Sequence, residues 1–415
     1  MMRFTIQSQR EERDKLLAKP YLSRHVGNDV AGMLAIKQIK LLTGPRRAGK
    51  STQALLMLSG KNFAYLNFDD NTLLKQWDEH LVMHLLDEVY PNYEYLLLDE
   101  VQNLEGWDLW VSKLYRNGVN LIITGSNAKM LSSEMATALT GRYLEVKVFP
   151  FSLEEYFEWH KVMLTDDSAA ETSKVSFLLD DYLRRGGYPE TIEARSIASS
   201  YLSTLFDSIV WKDVVERHKV RNVADLNNMA LYLLSNFCNP LSATGLAEDL
   251  GLSSVNTAKK FMGYLAEPYL FFYLPRFDNK LKLMKKAPQK VYVVDNGFVA
   301  ARAFNVSDNL GRLLENQVFV ELLRRGYTTD RTIFYYRSRN DKETDFVLRE
   351  GTKVAQLIQV CYDMRAVKTR KRELDAIIEC AEELKCEDLV IITQNEEETI
   401  TLGNHTVHVV PIHKF

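Results

Sequence analysis

Cysteine is scarce: only Cys238, Cys361, Cys380 and Cys386 occur in 415 residues, with no CxxC pair and no Cys/His spacing suited to zinc. That pattern excludes a disulfide framework and fits free thiols in a reducing cytoplasm. Long apolar runs are missing too. No stretch approaches the ~18 uninterrupted apolar residues of a spanning helix, and the opening MMRFTIQSQREERDKLLAKPYLSRHV is too charged for a secretory signal. Neither export nor membrane embedding is expected. Charge of one sign is also lacking, with 52 basic against 55 acidic residues and a formal net charge of −3. Any polyanion partner must therefore meet a local patch. There is no internal repeat and no low-complexity run. What remains, 46% hydrophobic and 26% charged, is a globular chain long enough for roughly two to four domains.

The clearest motif lies in IKQIKLLTGPRRAGKSTQALLML. An apolar strand from Ile39 to Leu42 precedes Gly44, Pro45, Arg46, Arg47, Ala48, Gly49, Lys50, Ser51 and Thr52, and an amphipathic helix follows. This is G-x-x-x-x-G-K-[ST] in the strand–loop–helix setting the motif requires. Glycines let backbone N–H groups wrap phosphates, and the helix N-terminus adds partial positive charge. Lys50 would reach the β- and γ-phosphates of ATP, and Ser51 would offer its hydroxyl to Mg²⁺. In YEYLLLDEVQNLEGW, the run Tyr95–Leu98 delivers Asp99 and Glu100 at a strand's C-terminal end, where open α/β sheets bind ligands. Asp99 would hold Mg²⁺ through water, and Glu100 would orient or deprotonate the attacking water. A further strand in GVNLIITGSNAKML ends in Thr124, Ser126 and Asn127, polar groups placed to sense the γ-phosphate. Arg142 precedes a β-rich run, Tyr143–Val148, and could complete a phosphate site in cis, serve a neighbour as an arginine finger, or be a surface arginine at a strand edge. NFAYLNFDD reads as one more strand, with Asp69 and Asp70 as solvated ends or contacts to neighbouring loops.

In this order, GPRRAGKST, LLLDEVQ, ITGSNA and LTGR resemble a prokaryotic group of the AAA-superfamily ATPases. YLRRGGYPE and IVWKDVVERHKVR extend the likeness, and a C-terminal domain of uncharacterised function extends it over the entire chain. The resemblance implies a five-strand core followed by a small helical lid, and it supplies no substrate.

From about Leu153 to Lys219 apolar residues recur at helical intervals. Arg184 or Arg185, before Gly186-Gly187, could act as a second nucleotide sensor or simply neutralise a helix end. Next, Leu241, Leu246, Ala247 and Leu250 form an apolar face, Gly251 suits a turn, Ser253 can cap, and Val255–Leu265 forms a second helix. That is helix-turn-helix spacing, and YLFFYLPRF with its following lysines resembles a wing. Candidate DNA contacts are Ser254, Asn256, Lys259 and Lys260, joined by Lys280, Lys282, Lys285 and Lys286. The module could instead serve packing alone.

The last third resembles the restriction-endonuclease-like PD-(D/E)xK fold: a helix with Glu315, a strand with Asp345, and a strand with Gln359. Cys361 stands where that fold keeps a lysine, and a neutral Gln359 is a weaker ligand for a hard cation than glutamate. Catalysis by such a site would be absent or slow unless a lysine such as Lys353 or Lys368 has taken the role.

The expected architecture is α/β: an AAA-type P-loop core over residues 1–152, a helical lid over 153–219, a winged helix-turn-helix over 220–287, and a restriction-endonuclease-like domain over 288–415. The expected function is a cytoplasmic, Mg-dependent ATP-hydrolysing switch acting on or near DNA. The alternatives are an ATP-driven regulatory or protein-remodelling module whose C-terminal domain binds a protein, and an ATP-gated nuclease. A homo-oligomer is compatible with all three.

Overall fold

The computed structural model describes residues 1–22, 24–25, 30–126, 139, 141–162, 169–303 and 309–415. Asn127 lies outside the described residues. The chain divides into two compact units, Met1–Pro150 with Glu267–Tyr269, and Phe151–Ala266 with Leu270–Phe415.

Strands buried on both faces belong in sheets covered on both sides, and the first unit has four such strands, largely buried, with a fifth, more exposed one at the sheet edge. These are β1 (Ile39–Thr43), β2 (Phe63–Asn67), β3 (Tyr95–Asp99), β4 (Leu121–Gly125) and β5 (Tyr143–Lys147). The sheet order is β2-β3-β4-β1-β5, and every pairing is parallel. Because β3, β4 and β1 are neighbours pointing the same way, the loops that leave their C-terminal ends are brought to one edge. Asp70 and Asp78 accept amide hydrogens at the starts of the helices Asn71–Lys75 and Glu79–Val89. One face of the sheet buries Leu41, Leu66, Leu96, Leu98 and Ile123, and the other buries Leu42, Tyr65, Leu97 and Ile122.

The second unit opens with helices Leu153–Trp159, Ala169–Arg185, Pro189–Glu193 and Ala198–Ser208, the last continuing as a π-helix over Ile209–Glu216. Ser152 and Glu155 form a reciprocal capping box at the first of these. The chain then runs helix Val223–Ser235, β6 (Pro240–Leu241), helix Ala243–Asp249, helix Val255–Ala266, β7 (Phe271–Pro275), the short helix Leu281–Met284 and β8 (Gln289–Val293). The three strands form an antiparallel sheet ordered β6-β8-β7. Ser254, rather than Ser253, caps the second helix of the pair: its Oγ accepts from the Thr257 amide at 3.1 Å, as the residue immediately before Val255 must. The remainder runs helix Leu310–Arg324, β9 (Ile333–Arg337), β10 (Glu343–Glu350), β11 (Lys353–Val360), helix Val367–Leu384, β12 (Leu389–Thr393), β13 (Glu398–Leu402) and β14 (His405–Pro411). Its six-stranded sheet is ordered β13-β14-β12-β11-β10-β9, antiparallel from β9 to β11 and parallel from β11 through β12 to β14. No helix among the described residues is long and apolar enough to cross a membrane.

The Gly186-Gly187 pair has a structural explanation. Buried Asp295 accepts from the amides of Gly297 at 2.8 Å and Gly187 at 2.7 Å, so one carboxylate caps the helix Asn296–Arg302 and holds the turn. Burial pushes that carboxyl up to about 6, against the pull of the two amides. Arg185 pairs with Asp181 one helical turn back, at 2.6 Å. Gly186 has φ +76°, and a Cβ there would stand 1.7 Å from Asp295 Oδ1. Gly186→Ala should therefore lower unfolding stability by ~2 kcal/mol or more, read as a drop in denaturation midpoint. Unchanged stability would contradict the lock.

Candidate functional site

The loop after β1 turns on Gly44, φ +144°, where a Cβ would lie 2.0 Å from the Val148 carbonyl oxygen. Only glycine fits against the segment that leaves β5. Pro45, Arg46, Arg47, Ala48 and Gly49 lead into the helix Lys50–Met57, which carries Lys50, Ser51 and Thr52 in its first turn. An N-terminus of this kind favours anions through its N–H groups and its dipole.

Asp99, only 4% exposed, ends β3 beneath that turn. Its Oδ1 accepts from Ser51 Oγ at 2.7 Å and from Thr124 Oγ1, and its Oδ2 accepts from the Tyr65 hydroxyl at 3.1 Å. Burial raises the Asp99 carboxyl from its ordinary range, the Thr124 bond opposes this, and the neighbouring Glu100 adds to it. Glu100 adopts a left-handed backbone, φ +52° and ψ +41°, uncommon for a side-chain-bearing residue. Its amide donates to Thr124 Oγ1 at 3.0 Å, and its carboxylate accepts from Gln102 and from Ser126 Oγ at 3.3 Å. The Lys50 ammonium donates to the Pro45 carbonyl at 2.9 Å and lies 3.7 Å from Glu100 Oε1. Lys50, Ser51, Asp99, Glu100 and Ser126 thus form one connected constellation. Its hydroxyl and carboxylate oxygens are the donor set of a hard cation.

Arg142 stands elsewhere. It precedes β5 where Ile39 pairs with Tyr143, so the length of β1, at ~3.3 Å per residue, separates it from Gly44. Its guanidinium donates to Ser112 Oγ at 3.2 Å and lies 5.8 Å from the centre of the Tyr115 ring. Completion of this chain's own phosphate site in cis does not fit that placement. Two partners that no sequence motif marks are Tyr65, on the adjacent strand, and Arg24, which donates to the carbonyls of Ala48 at 3.1 Å and Phe149 at 2.7 Å.

A second constellation lies in the second unit. Glu315, on the helix Leu310–Arg324, and Asp345, on β10, meet at the ammonium of Lys290 on β8, at 2.9 and 2.8 Å. Glu343 joins them at 2.8 Å, and the Tyr292 hydroxyl donates to Glu315 at 2.7 Å. Gln359 is not a member: its amide donates at 2.9 Å to Glu373 on the helix Val367–Leu384. Cys361 follows β11 and is buried in the core beside Leu374 and Ile377, its thiol pushed up to about 12 by burial and by Glu373. Lys353 is exposed at the start of β11 and Lys368 is exposed in the first turn of its helix, so neither supplies the lysine. Lys290 is legible in the sequence as one charge leading the apolar run VYVV, and such a residue needs a partner when buried.

A third set is exposed. Lys259 and Lys260 lie on the helix Val255–Ala266, and Lys282 and Lys285 lie between β7 and β8. Lys259, Lys260 and Lys282 make no salt bridge among the described residues, whereas Lys285 is near enough to Asp330 to influence it.

Burial pushes the Glu315 carboxyl up to about 7, with Lys290 acting against it and Asp345 with it. The folded value lies above the unfolded one, so this group's stabilisation is complete below the unfolded value and is lost as pH rises through about 7. Asp295 acts in the same sense through about 6. The melting temperature should fall as pH rises from about 4 to about 7, and Glu315→Gln should flatten the upper part of that fall. A variant with the wild-type slope would contradict the assignment.

Three family models cover most of the chain: an AAA domain over residues 36–157, a domain of unknown function (DUF8612) over 176–309, and a domain of unknown function (DUF4143) over 310–415. The Methanocaldococcus jannaschii protein described as uncharacterized protein MJ1544 is 32% identical over 408 residues, 94% of this chain and 90% of its own. A Haemophilus influenzae protein, also described as uncharacterized, is 32% identical over 394 residues, 90% of this chain and 93% of its own. Among solved structures, the Walker-type ATPase paby2304 of Pyrococcus abyssi aligns over 69% of this chain and 99% of its own, with 14% identity and a TM-score of 0.42, too slight a likeness to carry an argument. On the strength of its near full-length relatives, the chain belongs to the same family as MJ1544, with an AAA-type P-loop domain over residues 36–157.

Proposed function

We propose that this protein is an ATP-hydrolysing switch that acts on duplex DNA and does not cut it. The observation that carries the ATPase reading is the 2.7 Å bond from Ser51 Oγ to Asp99 Oδ1 at the mouth of the glycine loop. It sets a hydroxyl and a buried carboxylate side by side, where Mg²⁺ would be held. Bound there, the ion would neutralise charge on the β- and γ-phosphates. The chain's own groups do the remainder. The backbone N–H groups of Gly44 and of residues 46–52 hold the phosphates, Pro45 having none to offer, and Lys50 places its ammonium against them. Glu100, gripped by Thr124, Ser126 and Gln102, has a carboxylate oxygen to accept a proton from the attacking water. Arg142 is proposed to act on a neighbouring subunit's nucleotide, since its place in the chain suits no role at its own.

In the second unit, the order helix, strand, two helices, strand, short helix, strand over Val223–Val293 supports the winged-helix reading. The helix Val255–Ala266 would enter the major groove, and the segment between β7 and β8 would serve as the wing. Exposed lysines without salt-bridge partners on both elements support a phosphate-facing surface. Elsewhere in this unit many cations are neutralised within the protein, as in Arg370 with Glu398, Arg302 with Asp207 and Lys414 with Glu397. The order helix, three strands, helix, strand over Leu310–Thr393 supports the restriction-endonuclease-like reading of the last third.

Two measurements check these roles. Lys50→Ala should abolish nucleotide binding, whereas Glu100→Gln should retain binding and lose turnover by ~100-fold or more. Normal hydrolysis by the glutamine variant would remove Glu100 from the mechanism. Duplex DNA affinity should fall with salt, and replacing Lys259, Lys260, Lys282 and Lys285 with alanine should flatten the log–log slope by ~0.9 for each phosphate that is no longer neutralised. No binding at low salt would overturn the DNA reading.

A further inference from the structure

The restriction-endonuclease-like fold implies a divalent cation held by Glu315, Asp345 and a third ligand, and the residues present do not fit one. The expected third ligand, Gln359, is committed to Glu373. The point where the remaining carboxylates converge belongs to Lys290, of which only 1% is exposed.

A lysine ammonium has three N–H donors and no acceptor. Lys290 Nζ donates to Glu315 Oε1 at 2.9 Å and to Asp345 Oδ1 at 2.8 Å, and forms an ion pair with Glu343 Oε1 at 2.8 Å, so three carboxylates surround it. Its charge is matched within the protein instead of being left to neutralise a phosphate, which is the work a nuclease lysine performs. Two of the other three carboxylate oxygens are engaged as well: Asp345 Oδ2 accepts from the Val360 amide at 2.9 Å, and Glu343 Oε2 lies 3.3 Å from Arg337 Nε. Cation ligands and ammonium acceptors are the same oxygens, so the two occupants exclude each other. Removing either partner from a buried charge cluster is costly, which keeps the lysine in place.

We infer that the Lys290 ammonium stands where a catalytic cation would, sealing this site so that the C-terminal domain takes no divalent metal and hydrolyses no phosphodiester. The cluster joins β8 to β10 and to the helix Leu310–Arg324, so the former metal position works as an internal tie. This rests on the restriction-endonuclease-like reading of the last third.

The test is to count bound Mn²⁺ by electron paramagnetic resonance in nucleotide-free, full-length protein, where any contribution from the P-loop is common to all variants. Wild type, Asp345→Asn and the more exposed Glu343→Gln should bind equal amounts. Lys290→Met should gain one Mn²⁺ and a cation-dependent rise in melting temperature, and both gains should vanish in Lys290→Met/Asp345→Asn. One Mn²⁺ more in wild type than in Asp345→Asn or Glu343→Gln would overturn the sealed site and leave the fold reading standing. A folded Lys290→Met that gains no Mn²⁺ would overturn the reading that these carboxylates are a former metal site. Should Lys290→Met fail to fold, the comparison of wild type with Asp345→Asn and Glu343→Gln decides alone.

Discussion

A buried carboxylate must be matched by donors or it takes up a proton, and Asp99 is the point on which the ATPase unit turns. Three hydroxyls converge on it, Ser51 from the helix after the glycine loop and Thr124 and Tyr65 from the two strands beside β3. Each of those elements must be in register for the set to close. The strand order β2-β3-β4-β1-β5 is what makes that closure possible, because Tyr65, Asp99, Thr124 and the loop before Ser51 come from adjacent parallel strands. Thr124 has a second task, accepting the Glu100 amide, which stabilises that residue's left-handed backbone. The carboxylate that orients the glycine loop and the one assigned to water activation are thus fixed by the same hydroxyl.

The same rule, applied in the second unit, gives the opposite chemistry. Glu315, Glu343 and Asp345 also converge, and their charge is matched by an ammonium rather than by hydroxyls. A hydroxyl beside a carboxylate can share a metal ion with it, whereas an ammonium competes with that ion for the same oxygens. One constellation is therefore suited to cation chemistry and the other is closed to it. The third expected ligand, Gln359, completes the contrast by bonding Glu373 on another helix.

The P-loop and the acidic strand are legible in the sequence because their chemistry is local: Gly44 to Thr52 and Asp99-Glu100 each lie in one short window with strand and helix signals around them. Strands β1 to β4 follow from their apolar runs for the same reason. Long-range partners are not legible. Nothing near Lys290 in the chain announces Glu315, 25 residues on, or Asp345, 55 residues on, and the hydroxyl of Tyr65 looks like any strand aromatic until β2 and β3 pair. Spacing groups Gln359 with Asp345, and the direction of its side chain parts them. The cis role expected of Arg142 fails for a related reason: the sequence puts this residue before β5, but which end of β1 it stands beside depends on the parallel pairing of Ile39 with Tyr143.

The central claim is that Asp99 and Ser51 together form the Mg²⁺ position of a nucleotide site. The most direct measurement is the affinity of Asp99→Asn for a non-hydrolysable ATP analogue with Mg²⁺ and with EDTA, set beside wild type. The account predicts that wild type binds the analogue more tightly with Mg²⁺, and that the variant keeps the metal-free affinity and loses the metal-dependent gain. A variant with the wild-type Mg²⁺ dependence would contradict it.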